Sequence, residues 1–115
     1  MRIGFVGAGR MGAPMIGRLA AAGHQVRALA RSDDKRPAII ELGAEPVADI
    51  AAVADGAEAV VVCVFTDEQV AQVCAELPSG MTPGSALILH TTGSPRTAQR
   101  IAERHPHLGV LDAPV

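Results

Sequence analysis

Residues 2–22 run Arg-Ile-Gly-Phe-Val-Gly-Ala-Gly-Arg-Met-Gly-Ala-Pro-Met-Ile-Gly-Arg-Leu-Ala-Ala-Ala. Ile3 to Val6 is a short apolar run stopped by Gly7, the pattern of a buried strand. Gly7, Gly9 and Gly12 then spell G-x-G-x-x-G. From Arg10 onward Met11, Met15, Ile16, Leu19 and Ala20 recur at three- and four-residue steps, a helical period. Between a strand and a helix each glycine has a physical task. Gly7 permits the tight turn, Gly9 lets backbone approach a pyrophosphate, and Gly12 lets helix and strand pack closely. The amides of Arg10, Met11 and Gly12 are expected to point from the helix N-terminus at phosphates, with the helix dipole behind them. Pro14 is tolerated there because first-turn amides have no partner inside the helix.

The rest of the chain repeats the alternation of strand and helix. Gly23-His24 stops the first helix, and Gln25 to Ala30 alternates as a second strand. Ser32 or Asp33 can cap a helix that carries Pro37 in its first turn and ends near Gly43. Glu45-Pro46-Val47 fits only a short edge strand, because proline cannot donate to a ladder. Asp49 caps a helix from Ile50 to Ala54. Ala59 to Phe65 is seven apolar residues without alternation, the signature of a strand buried on both faces. A helix from Glu68 to Leu77 follows, then turns at Pro78-Ser79-Gly80 and Pro83-Gly84. Ala86 to Leu89 is a fifth strand, Ser94-Pro95 opens a helix to Arg104, and His107 to Asp112 is a sixth strand. Such alternation predicts right-handed parallel β-α-β units. The expected fold is α/β, a Rossmann-type doubly wound open sheet of about six strands in the order 3-2-1-4-5-6. A dinucleotide would lie across the C-terminal ends of its strands.

Composition removes several function classes. The 115 residues make one domain, spanning 1–115, with 49% hydrophobic residues and a net charge of −2. Without a basic stripe, nucleic-acid binding has no electrostatic support. Met1 leads straight into the first strand, leaving no room for a signal peptide, and no apolar run approaches membrane-spanning length. Cys63 and Cys74 have neither C-x-x-C nor metal-ligand spacing and read as free thiols, so a cytoplasmic chain is expected. His24, His90, His105 and His107 have no nucleophile at a recognisable spacing.

The identity of the dinucleotide turns on the end of the second strand. NAD sites usually carry an acid there, about 20 residues after the glycines, to bind the ribose hydroxyls. This chain has Ala30, Arg31 and Ser32 instead. A guanidinium suits a 2′-phosphate, and Lys35 and Arg36 stand near. NADP is therefore favoured over NAD, the competing reading being that Asp33 or Asp34 takes the acid's role.

Gly4 to Met15, with Leu19 and Ala22-Gly23-His24-Gln25-Val26, resembles the N-terminal signature of the β-hydroxyacid dehydrogenases. That family includes the 3-hydroxyisobutyrate and 6-phosphogluconate dehydrogenases and, more distantly, the imine reductases. The resemblance continues at Val64-Phe65-Thr66-Asp67, at Thr91-Thr92-Gly93-Ser94-Pro95 and at Asp112-Ala113-Pro114-Val115. It implies that Arg10 and Met11 lie against the pyrophosphate, and that Arg31 and Ser32 match the pair typical of NADP-using members. It places Val64, Phe65 and Thr66 beside the adenosine ribose and Thr92 near the nicotinamide ribose. Thr91 stands where a substrate-contacting serine is usual, whereas Leu89 and His90 depart from the family's Asp-x before it.

The family's catalytic lysine belongs to a segment after the Asp-Ala-Pro-Val motif, and its second domain is all-helical. Neither is expected within these residues: Lys35 is the only lysine and stands in the wrong loop. No catalytic residue and no metal ligand is expected here, and the small-molecule substrate belongs to a longer enzyme. The alternatives are a freestanding dinucleotide-binding module and the cofactor domain of an imine reductase-like enzyme. His90, near the expected nicotinamide end, either touches a substrate or simply closes a strand end. An open edge at the last strand leads to the expectation of a homo-oligomer.

Overall fold

The computed structural model describes residues 1–90 and 95–113. Its strands are β1 (Arg2–Val6), β2 (Gln25–Leu29), β3 (Glu45–Val47), β4 (Ala59–Val62), β5 (Ala86–Leu89) and β6 (Gly109–Asp112). All adjacent pairs are parallel, in the order β3-β2-β1-β4-β5-β6, as the alternation predicts. The chain runs outward from β1 in one direction, then returns to β4 and runs outward in the other. Crevices for ligands form where the strand order reverses in this way.

The helices are α1 (Gly12–Ala21), α2 (Arg36–Glu41), α3 (Ile50–Ala54), α4 (Asp67–Cys74), α5 (Leu77–Gly80) and α6 (Pro95–Arg104). They cover two faces because side chains alternate across β1. Ile3 and Phe5 pack with Ile16 of α1 and Ile39 of α2. Val6 joins Val53, Val70, Leu77 and Ile101 of α3 to α6 on the opposite face. Gly4 has a packing task not evident in the sequence: a Cβ there would lie 2.4 Å from the Val53 carbonyl oxygen. This absence of a side chain lets α3 sit directly on β1.

Helix ends follow the local chemistry. Gly23, at φ +94°, ends α1 by donating to the Ala20 carbonyl at 3.1 Å, while His24 donates to Leu19 at 3.2 Å. Asp49 caps α3 by accepting from the Ala52 amide at 2.8 Å. Thr66 and Gln69 form a reciprocal capping box at the start of α4.

β2 closes one residue earlier than expected, at Leu29, and α4 begins one residue earlier, at Asp67; the larger differences lie in β4, α4 and β6. β4 ends at Val62 rather than Phe65, because β1 turns away at Gly7 and the ladder loses its partner there. Helix α4 stops at Cys74, short of Leu77, and Leu77–Gly80 is a helical turn of its own. Pro78 has no amide to offer the Cys74 carbonyl, so one continuous helix cannot run through it. β6 begins at Gly109, since Leu108 is drawn into the end of the preceding turn by its bond to His105 at 3.1 Å. The expected Ser94 cap lies outside the described residues.

Cys74 is packed into the α3–α6 face of the core, and burial pushes its thiol up to about 11. An unfolded cysteine loses its proton near pH 8.5, so the neutral folded thiol gives a stability that is complete below that pH. The contribution is lost as pH rises toward about 11. Urea unfolding from pH ~8 to pH ~11 should show wild type losing about 2 kcal/mol more than Cys74→Ala. Parallel pH profiles for the two proteins would contradict it.

Candidate cofactor site

A cleft of about 410 Å³ crosses the C-terminal ends of β2, β1, β4 and β5. Its walls are the turn from Gly7 to Ala13, Arg31 and Lys35 beyond β2, Cys63 to Phe65 beyond β4, and His90 beyond β5. Ile39 and Leu42 of the α2 segment add an apolar wall on the β2 side.

The glycine turn is shaped by contacts that exclude side chains. Gly7 has φ +110°, and a Cβ there would lie 1.9 Å from the Cys63 carbonyl oxygen. A Cβ on Gly12 would lie 1.7 Å from the Gly7 carbonyl oxygen and 3.0 Å from the Phe5 ring. Gly9 is different: a Cβ there would meet nothing within 4 Å, although the residue lines the cleft. Two glycines are required by the protein itself, and the third keeps open a space that a ligand can use.

The start of α1 presents unpaired donors to that space. The first helical bond runs from the Ala13 amide to the Gly9 carbonyl at 2.8 Å. The amides of Arg10, Met11 and Gly12 precede it and have no backbone partner among the described residues. No side chain caps α1 and no acid stands in its first turn, whereas α3 and α4 have Asp49 and the Thr66–Gln69 box. Arg10, Arg31 and Lys35 line the cleft, and among the described residues no Asp or Glu does so. Bare amides, a helix dipole and three cations together make an anion site suited to phosphate groups.

The structure brings Gly7, Gly9, Arg10, Met11, Gly12, Arg31, Val64 and Phe65 to one cleft. Phe65 is 80% exposed and Met11 48%, so two large apolar side chains flank it in contact with solvent. Ser32 and Thr66 are not among the lining residues, and local partners occupy both hydroxyls. The Ser32 hydroxyl donates to Asp34, and this bond holds the Asp34 carboxyl below the usual carboxylate range. The Thr66 hydroxyl accepts from the Gln69 amide at 3.1 Å. Arg36 also turns away, donating to the Pro46 carbonyl at 3.4 Å. Thr91 and Thr92 lie outside the described residues.

Gln69 was not singled out by the sequence reading. Its Oε1 accepts from the Phe65 and Thr66 amides at 2.8 and 3.1 Å, fixing the loop that carries Phe65. The T-x-x-Q spacing of a capping box was the available signal. Burial pushes the Cys63 thiol up, away from the thiolate a nucleophile needs. Among the described residues no cluster of His, Cys, Asp or Glu could hold a metal ion, and no helix is long and apolar enough to cross a membrane.

Residues 2–115 match the family model for the NAD binding domain of 6-phosphogluconate dehydrogenase. The chain belongs to that family. An uncharacterised oxidoreductase of Shewanella frigidimarina is 35% identical over 99% of the chain, which covers 41% of that protein. The 3-hydroxyisobutyrate dehydrogenase of Mycobacterium tuberculosis, solved with L-serine, superimposes with a TM-score of 0.91 at 28% identity. The match covers 99% of this chain and 40% of that one. An imine reductase of Myxococcus stipitatus bound to NADP+ shares the fold, with a TM-score of 0.85 at 24% identity over 97% of this chain and 40% of its own. The chain thus spans about two fifths of the length of these relatives. It is a nicotinamide-cofactor-binding domain of the kind found in 3-hydroxyisobutyrate dehydrogenase-like oxidoreductases.

The three glycines should separate by substitution. Gly9→Ala is expected to unfold within about 0.5 kcal/mol of wild type while its Kd for nicotinamide dinucleotide rises about tenfold or more. Gly12→Ala should lose about 1–3 kcal/mol of folding stability by overpacking. Paired urea-unfolding and calorimetric titrations check both. Equal loss of stability in the two variants would refute the distinction.

Proposed function

We propose that this chain is the NADP-binding domain of an oxidoreductase that moves a hydride between the nicotinamide and a β-hydroxyacid-like substrate. The observation that carries NADP over NAD is the chemistry beyond β2. Arg31 stands where an NAD site places an acid, and Lys35 lines the same end of the cleft. Asp33 and Asp34, the acids that could reverse this reading, are not among the lining residues, and Asp34 already accepts from Ser32. A planar guanidinium binds a phosphate monoester through paired N–H groups, and the Lys35 ammonium adds a second positive charge.

The residues of this chain would bind and orient. The amides of Arg10, Met11 and Gly12 would hold the diphosphate, with Gly9 leaving it room to approach. Phe65 and Met11 would cover the bound cofactor and exclude water. The bound nicotinamide would supply the hydride donor or acceptor. The β-hydroxyacid class of substrate is supported by the likeness to 3-hydroxyisobutyrate dehydrogenase. Its recognition, and the proton transfer at its hydroxyl, would fall to a part of the enzyme beyond these residues, so this domain alone would be inactive.

Titration of wild type and Arg31→Ala with NADPH and NADH tests the assignment. Charge-assisted hydrogen bonds contribute about 1.5–3 kcal/mol, so the substitution should raise the NADPH Kd about 10- to 100-fold. The NADH Kd should stay within about twofold. Equal wild-type affinity for both cofactors, unaltered by the substitution, would overturn the 2′-phosphate reading.

A further inference from the structure

The His90 side chain, just beyond β5, is half-buried and lines the cleft. Its Nδ1 lies 2.6 Å from the Ala113 carbonyl oxygen. A carbonyl oxygen only accepts, so Nδ1 carries the proton in this bond. The Ala113 amide donates to the Leu89 carbonyl at 2.8 Å, and the His90 amide donates to Val62 at 2.9 Å. The His90 backbone is therefore fixed from both sides of β5, by β4 and by the segment after β6, and the Ala113 carbonyl orients the ring through its Nδ1–H. In the neutral ring Nε2 is then the lone-pair acceptor, and it has no hydrogen-bond partner among the described residues.

That acceptor is unusual in its setting. The cationic side chains of the cleft and the free amides of α1 are donors, matched to phosphate oxygens. The Gln69 carbonyl is already committed to the Phe65 and Thr66 amides. A neutral Nε2 gains nothing from a phosphate and takes a hydroxyl or amide N–H instead. Its place in the sheet says which hydroxyl. The α1 amides follow β1, Arg31 follows β2 on one side of it, and His90 follows β5 on the other side, beyond β4. A dinucleotide held by its diphosphate at α1 has one nucleoside on each side. With Arg31 at the phosphorylated adenosine ribose, His90 falls to the nicotinamide nucleoside.

We propose that His90 Nε2 accepts a hydrogen bond from a ribose hydroxyl of the nicotinamide half, with the Ala113 carbonyl fixing the ring to receive it. This rests on the dinucleotide reading above and adds a binding residue to it. The role is in cofactor binding, so it operates without substrate present.

The test uses NADPH and 2′,5′-ADP, which carries the phosphorylated adenosine half alone. Both are titrated calorimetrically, without substrate, into wild type and three variants. His90→Phe removes both ring nitrogens, His90→Asn can keep a donor toward Ala113, and His90→Gln can place an acceptor near the former Nε2. The Phe and Asn variants should bind NADPH about fivefold more weakly than wild type, the loss of one neutral hydrogen bond, with 2′,5′-ADP unchanged. His90→Gln should recover part of the NADPH affinity. The proposal fails if NADPH affinity is unchanged in both Phe and Asn variants, or if both ligands weaken together, which marks a strap that only holds the ladder. It fails also if Asn restores NADPH binding and Gln does not. A folded wild type that binds neither ligand would remove the dinucleotide reading itself; the other failures leave that reading standing.

Discussion

The contact on which the rest depends is the approach of Gly12 to the Gly7 carbonyl. No Cβ fits between them: one built on Gly12 would stand 1.7 Å from that oxygen. The close approach brings the first turn of α1 down onto the end of β1, against the Phe5 ring. Phe5 is fully buried and belongs to the layer that α1 and α2 form over the sheet. The same backbone geometry that packs this layer therefore aims the α1 amides over the strand ends. Packing and ligand binding share one turn, so a change at Gly12 that disturbs the first disturbs the second as well.

What distinguishes α1 is which hydrogen bonds are left unmade. At α3 and α4 a side chain caps the helix by meeting one of the orphan amides. At α1 they have no partner among the described residues, in a cleft whose charged lining residues, among those described, are all cations. Leaving donors unpaired costs little while water reaches them and becomes favourable when an anion replaces the water. Under the proposed assignment a bound diphosphate would be the missing cap.

Much of the architecture was legible because it rests on local, short-period signals. The β1–turn–α1 unit, the glycine stop at Gly23, the Asp49 cap and the 3-2-1-4-5-6 order all follow from residue chemistry within a few positions, repeated along the chain. The misplaced boundaries depend on partners distant in sequence. Ala59 to Phe65 is uniformly apolar, yet the ladder stops at Val62 because β1 stops, and the exposed Phe65 belongs to the cleft. Gly4 was unremarkable in sequence and is decisive in space, since only the fold brings Val53 to it. In the cleft, spacing was enough to bring the glycines and Arg31 to its lining. Ser32 and Thr66 are not among the lining residues, because short hydroxyl side chains readily bond to neighbours three residues away or fewer, and both do so here.

The two halves of the cleft divide recognition between backbone and side chains, and this sets how strict the choice of cofactor can be. Under the proposed assignment the glycine turn would act on the diphosphate, which NAD and NADP share, so it could not discriminate between them. Under the proposed assignment the discrimination falls to Arg31 and Lys35, both exposed to solvent. An exposed cation without a partner keeps its hydration, so NAD would leave no buried charge unpaired and would meet no penalty. The selectivity then comes wholly from what a 2′-phosphate gains, with no element that repels its absence. Strict exclusion needs a repulsive feature as well as an attractive one. Under that assignment the domain would prefer the phosphorylated cofactor while still accepting the other.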